Sequence, residues 1–461
     1  MSEYTPTIGL EIHAELRTKT KMFCNSKNDT NETKPNTNIC PICMGYPGTL
    51  PTINKEAVRH VLRLGVAVGG KIADYSEFDR KNYFYPDIPK GYQISQYKFP
   101  LVSGGSLAGV ELTRVHLEED TAKSSHEGNE DSLVDFNRAG VPLMELVTEP
   151  VIHDAETAGK FAREFKLILQ YLGASEANME KGEMRVEANI SVGLDGKMGT
   201  KVEVKNLNSF RAMEKAIKYE VERHKGLLER GEKIIQETRG WDENKEETFS
   251  QRVKEDSHDY RYFPEPDLPK LFISEIPEFN IETLKVSLPE LPNNKRLRYK
   301  KEFEIKDSDI EIYIQDLNKG AFFEAVIALL GDNKLANLAS NYIITDLSNL
   351  VAKPENFAKL IKMIDGGELS SRGAKDTLKI MMEKDGDPKV IAEENNLIQS
   401  SDTGTLDELA KKIIAENPTA VEEFKKGKQA SLQFLVGQGM KASKGSANPE
   451  MLKTSLLSAL S

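Results

Sequence analysis

The stretch Ile8-Gly-Leu-Glu-Ile-His-Ala-Glu-Leu16 alternates without a break: Ile8, Leu10, Ile12, Ala14 and Leu16 share one parity, and Gly9, Glu11, His13 and Glu15 the other. Successive side chains of a β-strand point to opposite faces. The stretch therefore predicts a strand with one apolar face against a core and with Glu11, His13 and Glu15 in a row on the reverse. Carboxylates lined up with an imidazole suit a divalent cation held by oxygen and nitrogen ligands. The competing reading is a solvated strand face carrying ordinary charges.

Other segments supply matching acids. Arg114-Val-His-Leu-Glu-Glu-Asp120 reads as a second strand ending in three consecutive carboxylates, which are costly together unless a cation sits among them. Glu145 falls inside the apolar run Val141-Pro-Leu-Met-Glu-Leu-Val147, where an acid without a partner is expensive and metal ligation is the more economical reading. Residues 184–192 and 200–206 alternate and are joined across Asp195-Gly196, a hairpin signal. Their polar parities carry Arg185, Glu187, Asn189 and Ser191 on one strand and Lys201, Glu203 and Lys205 on the other. That face is either the wet side of an antiparallel sheet or a binding floor, with Arg and Lys for phosphate oxygens and Glu for metal. The run from Asp79 to Gln96 is dense in aromatic residues, prolines and the cations Arg80, Lys81 and Lys90, as in an ordered binding loop. Arg261, between Tyr260 and Tyr262, has the setting of a phosphate contact.

Helix punctuation is equally explicit. Asn54, Asp154 and Ser209 each precede an amphipathic run, and Gly69, Gly173 and Gly231 end these runs, which predicts helices over about 55–68, 155–172 and 210–230. Beyond the Pro- and Asn-rich segment 288–294 the strand signals stop, and short amphipathic helices follow at roughly 318–330, 333–350, 354–365, 370–384, 405–416, 430–441 and 449–460. A polar stretch near 395–404 marks a second linker. The expected organisation is α+β, with domains at 1–292, 293–400 and 401–461.

Charge and cysteine usage narrow the function. A net charge of −11 argues against a surface that binds polyanions everywhere, yet the segment from Pro418 onward holds six lysines against three glutamates. Lys428, Lys441 and Lys444 in that tail are candidate nucleic-acid contacts. No apolar run approaches the roughly 20 residues that span a bilayer. The opening Met-Ser-Glu-Tyr-Thr-Pro has no basic and apolar leader, so a cytoplasmic location is expected. Three cysteines, Cys24, Cys40 and Cys43, cannot complete a disulfide framework. Cys40-Pro-Ile-Cys43 has a zinc-ligand spacing, but structural zinc takes four N or S ligands. Either another side chain completes the set or the loop packs without metal.

The motifs Ile8 to Glu15, Cys40-Pro-Ile-Cys43, Lys81-Asn-Tyr-Phe-Tyr-Pro-Asp87, His116-Leu-Glu-Glu-Asp120, Asn137-Arg-Ala-Gly-Val-Pro-Leu143, Lys205-Asn-Leu-Asn-Ser209 and 259–266 resemble, in this order and over nearly the whole chain, the GatB family. These are B subunits of tRNA-dependent aspartyl/glutamyl amidotransferases. The resemblance implies a glutamine-synthetase-like antiparallel-sheet cradle, then a helical domain and a small helical tail that contacts tRNA. It implies an amidase-type A subunit that acts as the glutaminase, a small C subunit in a heterotrimer, and ATP with Mg2+. The implied reaction phosphorylates the side-chain carboxyl of Glu-tRNA(Gln) or Asp-tRNA(Asn), and ammonia then displaces phosphate. Phosphoryl transfer needs cations and positioning rather than a covalent nucleophile. By resemblance Glu11, His13, Glu119 and Glu145 are the metal ligands. Alternation from Arg114 and His116 favours Glu118 over Glu119, and a bulge at the strand end would reconcile the two. The resemblance further assigns Lys81 and Tyr83 to the aminoacyl end, and Arg185, Glu187 and Lys205 to phosphates and a second metal. Ser26 stands where zinc-containing members carry cysteine. The alternative is a noncatalytic tRNA-binding scaffold.

Overall fold

Strand β1 (Tyr4–Glu15) is hydrogen-bonded along both edges and lies at the middle of a ten-stranded sheet. In the computed structural model, which describes residues 4–125, 131–194, 197–253, 260–399, 403–443 and 447–460, β1 is followed by β2 (Val110–Glu119), β3 (Pro142–Thr148), β4 (Met184–Leu194) and β5 (Val202–Leu207). The order across the sheet is Glu247–Val253, Glu237–Asp242, β5, β4, β1, β3, β2, Val102–Ser103 and Lys71–Ile72, with Ser106–Leu107 beside β2. Neighbours run antiparallel except β5 and Glu237–Asp242, which pair in parallel.

Pairing of β1 with β4 extends from Tyr4 opposite Leu194 to Ala14 opposite Met184, and on its other edge Glu11 to Glu15 face Val147 to Leu143 of β3. Ile8, Leu10, Ile12 and Ala14 are almost wholly shielded from solvent. They share a core with residues of three helices, α1 (Lys55–Ala67), α2 (Ala155–Tyr171) and α3 (Phe210–Glu229), among them Val58, Phe161, Phe165 and Met213. Burying each such aliphatic side chain is worth about 1.5–3 kcal/mol, so the register is fixed from the apolar side. A one-residue slip would put Glu11 and His13 into that core.

The helices start where their caps predict. The Asn54 carboxamide accepts from the N–H groups of Glu56 and Ala57, the Asp154 carboxylate from Thr157 and the Ser209 hydroxyl from Ala212. Gly69, Gly173 and Gly231, just past the helix ends, take φ values of +68°, +64° and +71°. A three-stranded small sheet, Asp79–Asn82, Tyr92–Ser95 and Phe263–Pro264, carries part of the aromatic run. Arg80 fixes it through paired hydrogen bonds of 2.6 and 2.9 Å to the buried Glu265.

The chain divides into two compact units, Met1–Leu291 and Pro292–Ser461. The second is helical. It includes Pro292–Phe303, Asp307–Gln315, Pro388–Glu394 and Pro418–Lys425, which the periodicity did not single out, and the expected helix over 333–350 is a 3-10 turn followed by Ala336–Thr345. Tyr313 and Phe323 stack at 4.4 Å in its core, and Leu406, Ile413, Leu432, Leu435, Leu452 and Leu456 form a separate cluster in the tail. A large mixed sheet followed by helices makes the fold α+β. No described helix is long and apolar enough to cross a membrane.

Candidate active site

Sheet register brings the polar parity of β1 together with acids from three other strands. His13 lies opposite Glu145 of β3 and Arg185 of β4, Glu145 lies opposite His116 of β2, and Glu11 lies opposite Glu187 of β4. His13 Nε2 is 3.4 Å from Glu145, 3.5 Å from Glu118 and 3.8 Å from Glu11. His116 Nε2 adds a contact of 3.3 Å to the Glu145 carboxylate, and Arg114 one of 3.6 Å. Two ligand-sized groups result, Glu11–His13–Glu187 and His13–Glu118–Glu145, each with one ligand atom per residue inside a 4.8 Å span.

The electrostatics are those of crowded, half-dry acids. Burial, then Glu145 and Glu187, push the Glu11 carboxyl up to about 7 against the opposing pull of His13 and Lys205. Burial would lower the His13 imidazole, but the hydrogen bond and charge of Glu145, with Glu118 and Glu11, hold it at about 9. Burial would raise Glu145, but His116 and His13 keep it well below the usual carboxylate range. Several carboxylates held together by imidazoles form a donor set that fits a hard divalent cation, and the cation would displace the His13 proton on binding.

Around this cluster stand the cations. Lys205 Nζ is 2.8 Å from Glu187 and 4.0 Å from Glu203. Lys81, on the small sheet, sits 5.0 Å from the Tyr260 ring centre and 5.7 Å from that of Tyr83. Burial works to lower the Lys81 ammonium, but Glu118 and, less strongly, Tyr262, Tyr83 and Glu145 hold it above its ordinary value. The Tyr83 hydroxyl donates to Gln93 Oε1 at 3.2 Å, and burial keeps the phenol neutral. Phe84 and Tyr97 are exposed, and Tyr97 stacks on Tyr262 at 4.4 Å.

Register in β2 runs unbroken from Arg114 to Glu119, so the expected bulge at the strand end is not there. Glu118 is the residue that reaches His13, and Ser95 donates to it at 3.1 Å. Glu119, the ligand preferred from the family motif, instead ion-pairs with Lys90 and accepts the N–H of Ile94 at 3.0 Å, while Gln93 donates to its backbone carbonyl. Glu119 thus clamps the small sheet to the end of β2. Arg185 binds Asp120 at 2.9 Å, with Arg138 3.6 Å from the same carboxylate, so its guanidinium already has an anion. Asn82 binds the Arg261 backbone carbonyl at 2.9 Å, and Arg261 takes a φ of +45°, a turn position. The sequence places Lys90 in the binding loop and Asp120 among the three acids ending the strand, whereas His116 and Arg114 serve there only to set that strand's parity. His116 shares the parity of Arg114 and Glu118, which was the available signal.

Cys24, Cys40 and Cys43 come together within 4.8 Å. In the tail, Lys428 is exposed and pairs with Glu423 at 3.0 Å, and Lys441 lies in the last turn of Gln429–Ala442. Lys444 is outside the described residues, as are Asp195 and Gly196 of the hairpin turn.

An acid- and histidine-lined sheet face flanked by lysines, in an α+β unit, is the setting in which the family comparison falls. Residues 6–277 match the family model described as the GatB/GatE catalytic domain, and residues 317–460 match the one described as the GatB domain. The chain belongs to the GatB family. It is 42% identical to the B subunit of the aspartyl/glutamyl-tRNA(Asn/Gln) amidotransferase of Gloeothece citriformis, over 98% of this chain and 96% of that protein. The B subunit of the same name from Thermoanaerobacter pseudethanolicus is 43% identical over the whole of both chains, and that of Persephonella marina 42% over 98% of each.

Proposed function

We propose that this chain is the amidating subunit of a tRNA-dependent amidotransferase, acting in the cytoplasm on Glu-tRNA(Gln), Asp-tRNA(Asn) or both. It uses ATP to phosphorylate the side-chain carboxyl of the aminoacyl group, and ammonia from a partner glutaminase subunit then displaces phosphate. The supporting observation is the convergence of Glu11, His13, Glu118, Glu145 and Glu187 on one face of a sheet whose other face is core. Those five side chains would hold Mg2+. A divalent ion supplies charge neutralisation of phosphate oxygens when bound. Lys205, beside Glu187, and Lys81, beside Glu118, orient anionic groups from either side, and Tyr83 with its neighbouring rings excludes water around the aminoacyl end. Arg185, tied to Asp120, stiffens the floor. On this reading the large sheet serves as the glutamine-synthetase-like cradle, an assignment supported by the acids gathered on its polar face.

The test is a single-turnover reaction of the assembled three-subunit complex with γ-labelled ATP and Glu-tRNA(Gln), following phosphorylated intermediate and amide separately. Transfer of label to the aminoacyl group before amide appears is the expected result, and amidation without any labelled intermediate would refute it. The purified chain alone is expected to release no ammonia from glutamine, because none of its site residues forms a nucleophile–base pair for amide hydrolysis. Steady glutaminase activity from the clean chain would reverse that division of labour.

The tail is assigned to tRNA through Lys428, Lys441 and Lys444. Deleting residues from about 405 onward is expected to weaken tRNA binding and to flatten its log–log salt dependence by a slope of roughly 1 for each phosphate that these lysines no longer neutralise. Equal affinity and equal slope with and without the tail would remove it as an RNA-binding element.

A further inference from the structure

Three thiols meet beside a buried ammonium in a part of the first unit that the amidation chemistry leaves unused. Cys24 and Cys43 are buried, and Cys24 is hydrogen-bonded to the Cys43 sulfur. The Cys40 N–H donates to Cys43 Sγ at 3.2 Å. Lys21 is fully buried. Its Nζ lies 3.8 Å from Cys43 Sγ and donates to the Phe136 carbonyl at 3.2 Å. Ser26 Oγ lies 3.9 Å from the same sulfur.

This donor set does not fit structural zinc. Four N or S ligands are wanted, whereas the fourth position here is a serine hydroxyl, and the lysine beside Cys43 brings a positive charge of its own. An ammonium and a backbone N–H aimed at one sulfur are the surroundings that favour a nucleophilic thiolate. Access is also provided. Cys43 lines a small pocket, with room for about one water-sized molecule, that is half open to solvent between Lys90, Gln93, Glu119, Thr121 and Gly140. Residue 140 is a glycine at φ +85°, and a Cβ there would come within 3.4 Å of Cys43 and 3.5 Å of Lys21.

The geometry points to a metal-free, oxidisable dithiol in which Cys43 reacts with hydrogen peroxide and Cys24 resolves the product to a Cys24–Cys43 disulfide. In the first step the Cys43 thiolate attacks one peroxide oxygen, the O–O bond breaks, and Cys43 sulfenic acid forms with release of hydroxide. In the second step the Cys24 sulfur attacks the sulfenic sulfur, the S–O bond breaks, and the hydroxide released takes up the Cys24 proton as water. The dithiol loses two electrons and peroxide gains them, and an external thiol reverses the change.

The test treats the full-length chain, purified under reducing conditions, with hydrogen peroxide. Alkylation and peptide mapping by mass spectrometry follow. A Cys24–Cys43 link that dithiothreitol removes is the expected product, with no zinc in elemental analysis of the starting protein. In Cys24→Ser the sulfenic acid should persist and be trapped on Cys43 by a 1,3-dione. Lys21→Met should slow oxidation about tenfold through loss of the neighbouring charge, and Lys21→Arg should restore most of the rate. If the lysine variants do not fold, the wild-type map and the Cys24→Ser trap decide by themselves. Stoichiometric zinc that shields the thiols, a Cys43 that remains unoxidised, or a Cys40–Cys43 link in place of Cys24–Cys43 would each overturn the proposal. An unchanged rate in folded Lys21→Met would do the same.

Discussion

His13→Ala is expected to lower phosphorylation of the aminoacyl group by about two to three orders of magnitude while tRNA affinity is retained. His13 is the one side chain common to both ligand-sized groups on the sheet, so its loss disrupts both. The fold should survive, because the apolar parity of β1 is untouched and Glu145 keeps His116 as a partner. The cleaner companion is Glu11→Gln. Burial and its acidic neighbours already hold the Glu11 carboxyl up at about 7, so a neutral isostere costs little stability but cannot offer an anionic ligand. Both variants are to be measured in the assembled complex by the single-turnover assay, with melting temperature as the folding control. If both keep near wild-type phosphorylation, the noncatalytic scaffold reading wins and the chemistry lies elsewhere.

Glu220→Ala is expected to destabilise the first unit by about 3–5 kcal/mol, the cost of removing one partner from a buried ionic network. Glu220, on α3, has no exposed surface and accepts from Arg223 at 2.8 and 3.0 Å and from Thr248. Arg239 lies 3.1 Å away and His224 3.2 Å. The network joins α3 to the edge strands Glu237–Asp242 and Glu247–Val253. Burial alone would raise this carboxyl, but the close His224 imidazole and hydrogen bonds from Arg223 and Thr248 outweigh it and hold it at about 2. A depressed acid contributes stability above its unfolded value of about 4.5 and loses it as pH falls toward 2. The two values correspond to about 3 kcal/mol. The gap in melting temperature between wild type and Glu220→Ala should therefore be full at pH 7 and narrow below about pH 4.5. A gap that does not change with pH would show that packing, not charge, carries the effect.

Legibility from sequence followed the range of the interaction. The alternation of β1, the caps Asn54, Asp154 and Ser209, and the acid at 145 are local patterns, and each appears where period and chemistry put it. Parity pointed to Glu118, which lies 3.5 Å from His13, and the family motif to Glu119, which pairs with Lys90. The partners were not legible. Nothing local announces that Asp120 takes Arg185, 65 residues away, or that Lys90 takes Glu119, because any nearby cation satisfies a carboxylate and only the assembled sheet selects one. The parallel edge pairing of β5 with Glu237–Asp242 was hidden for the same reason. That strand carries Arg239 and Glu237 as an internal pair, which reads as a polar loop until α3 covers it. Helix Pro292–Phe303 was missed because its Pro-Asn-Asn start looks like a linker, although Pro in the first turn is also a helix opening.

The central position of β1 also sets a schedule for biosynthesis. Ile8 pairs with Ile190, and Leu10 with Ala188, across about 180 residues of chain. At ~5–20 residues per second, the ribosome needs on the order of ten to thirty seconds to deliver β4 after β1 has been made. Until β3 is complete at about residue 148, a strand with a fully apolar face has neither edge paired, and until β4 is made the edge that takes Met184–Leu194 stays open, a ready template for pairing with another chain. Nascent chains should therefore depend on holdase chaperones until about residue 195 has emerged. The segment that gathers the reactive groups is thus also the most aggregation-prone one during translation, and slowing elongation before β4 should lower soluble yield more than slowing it afterwards.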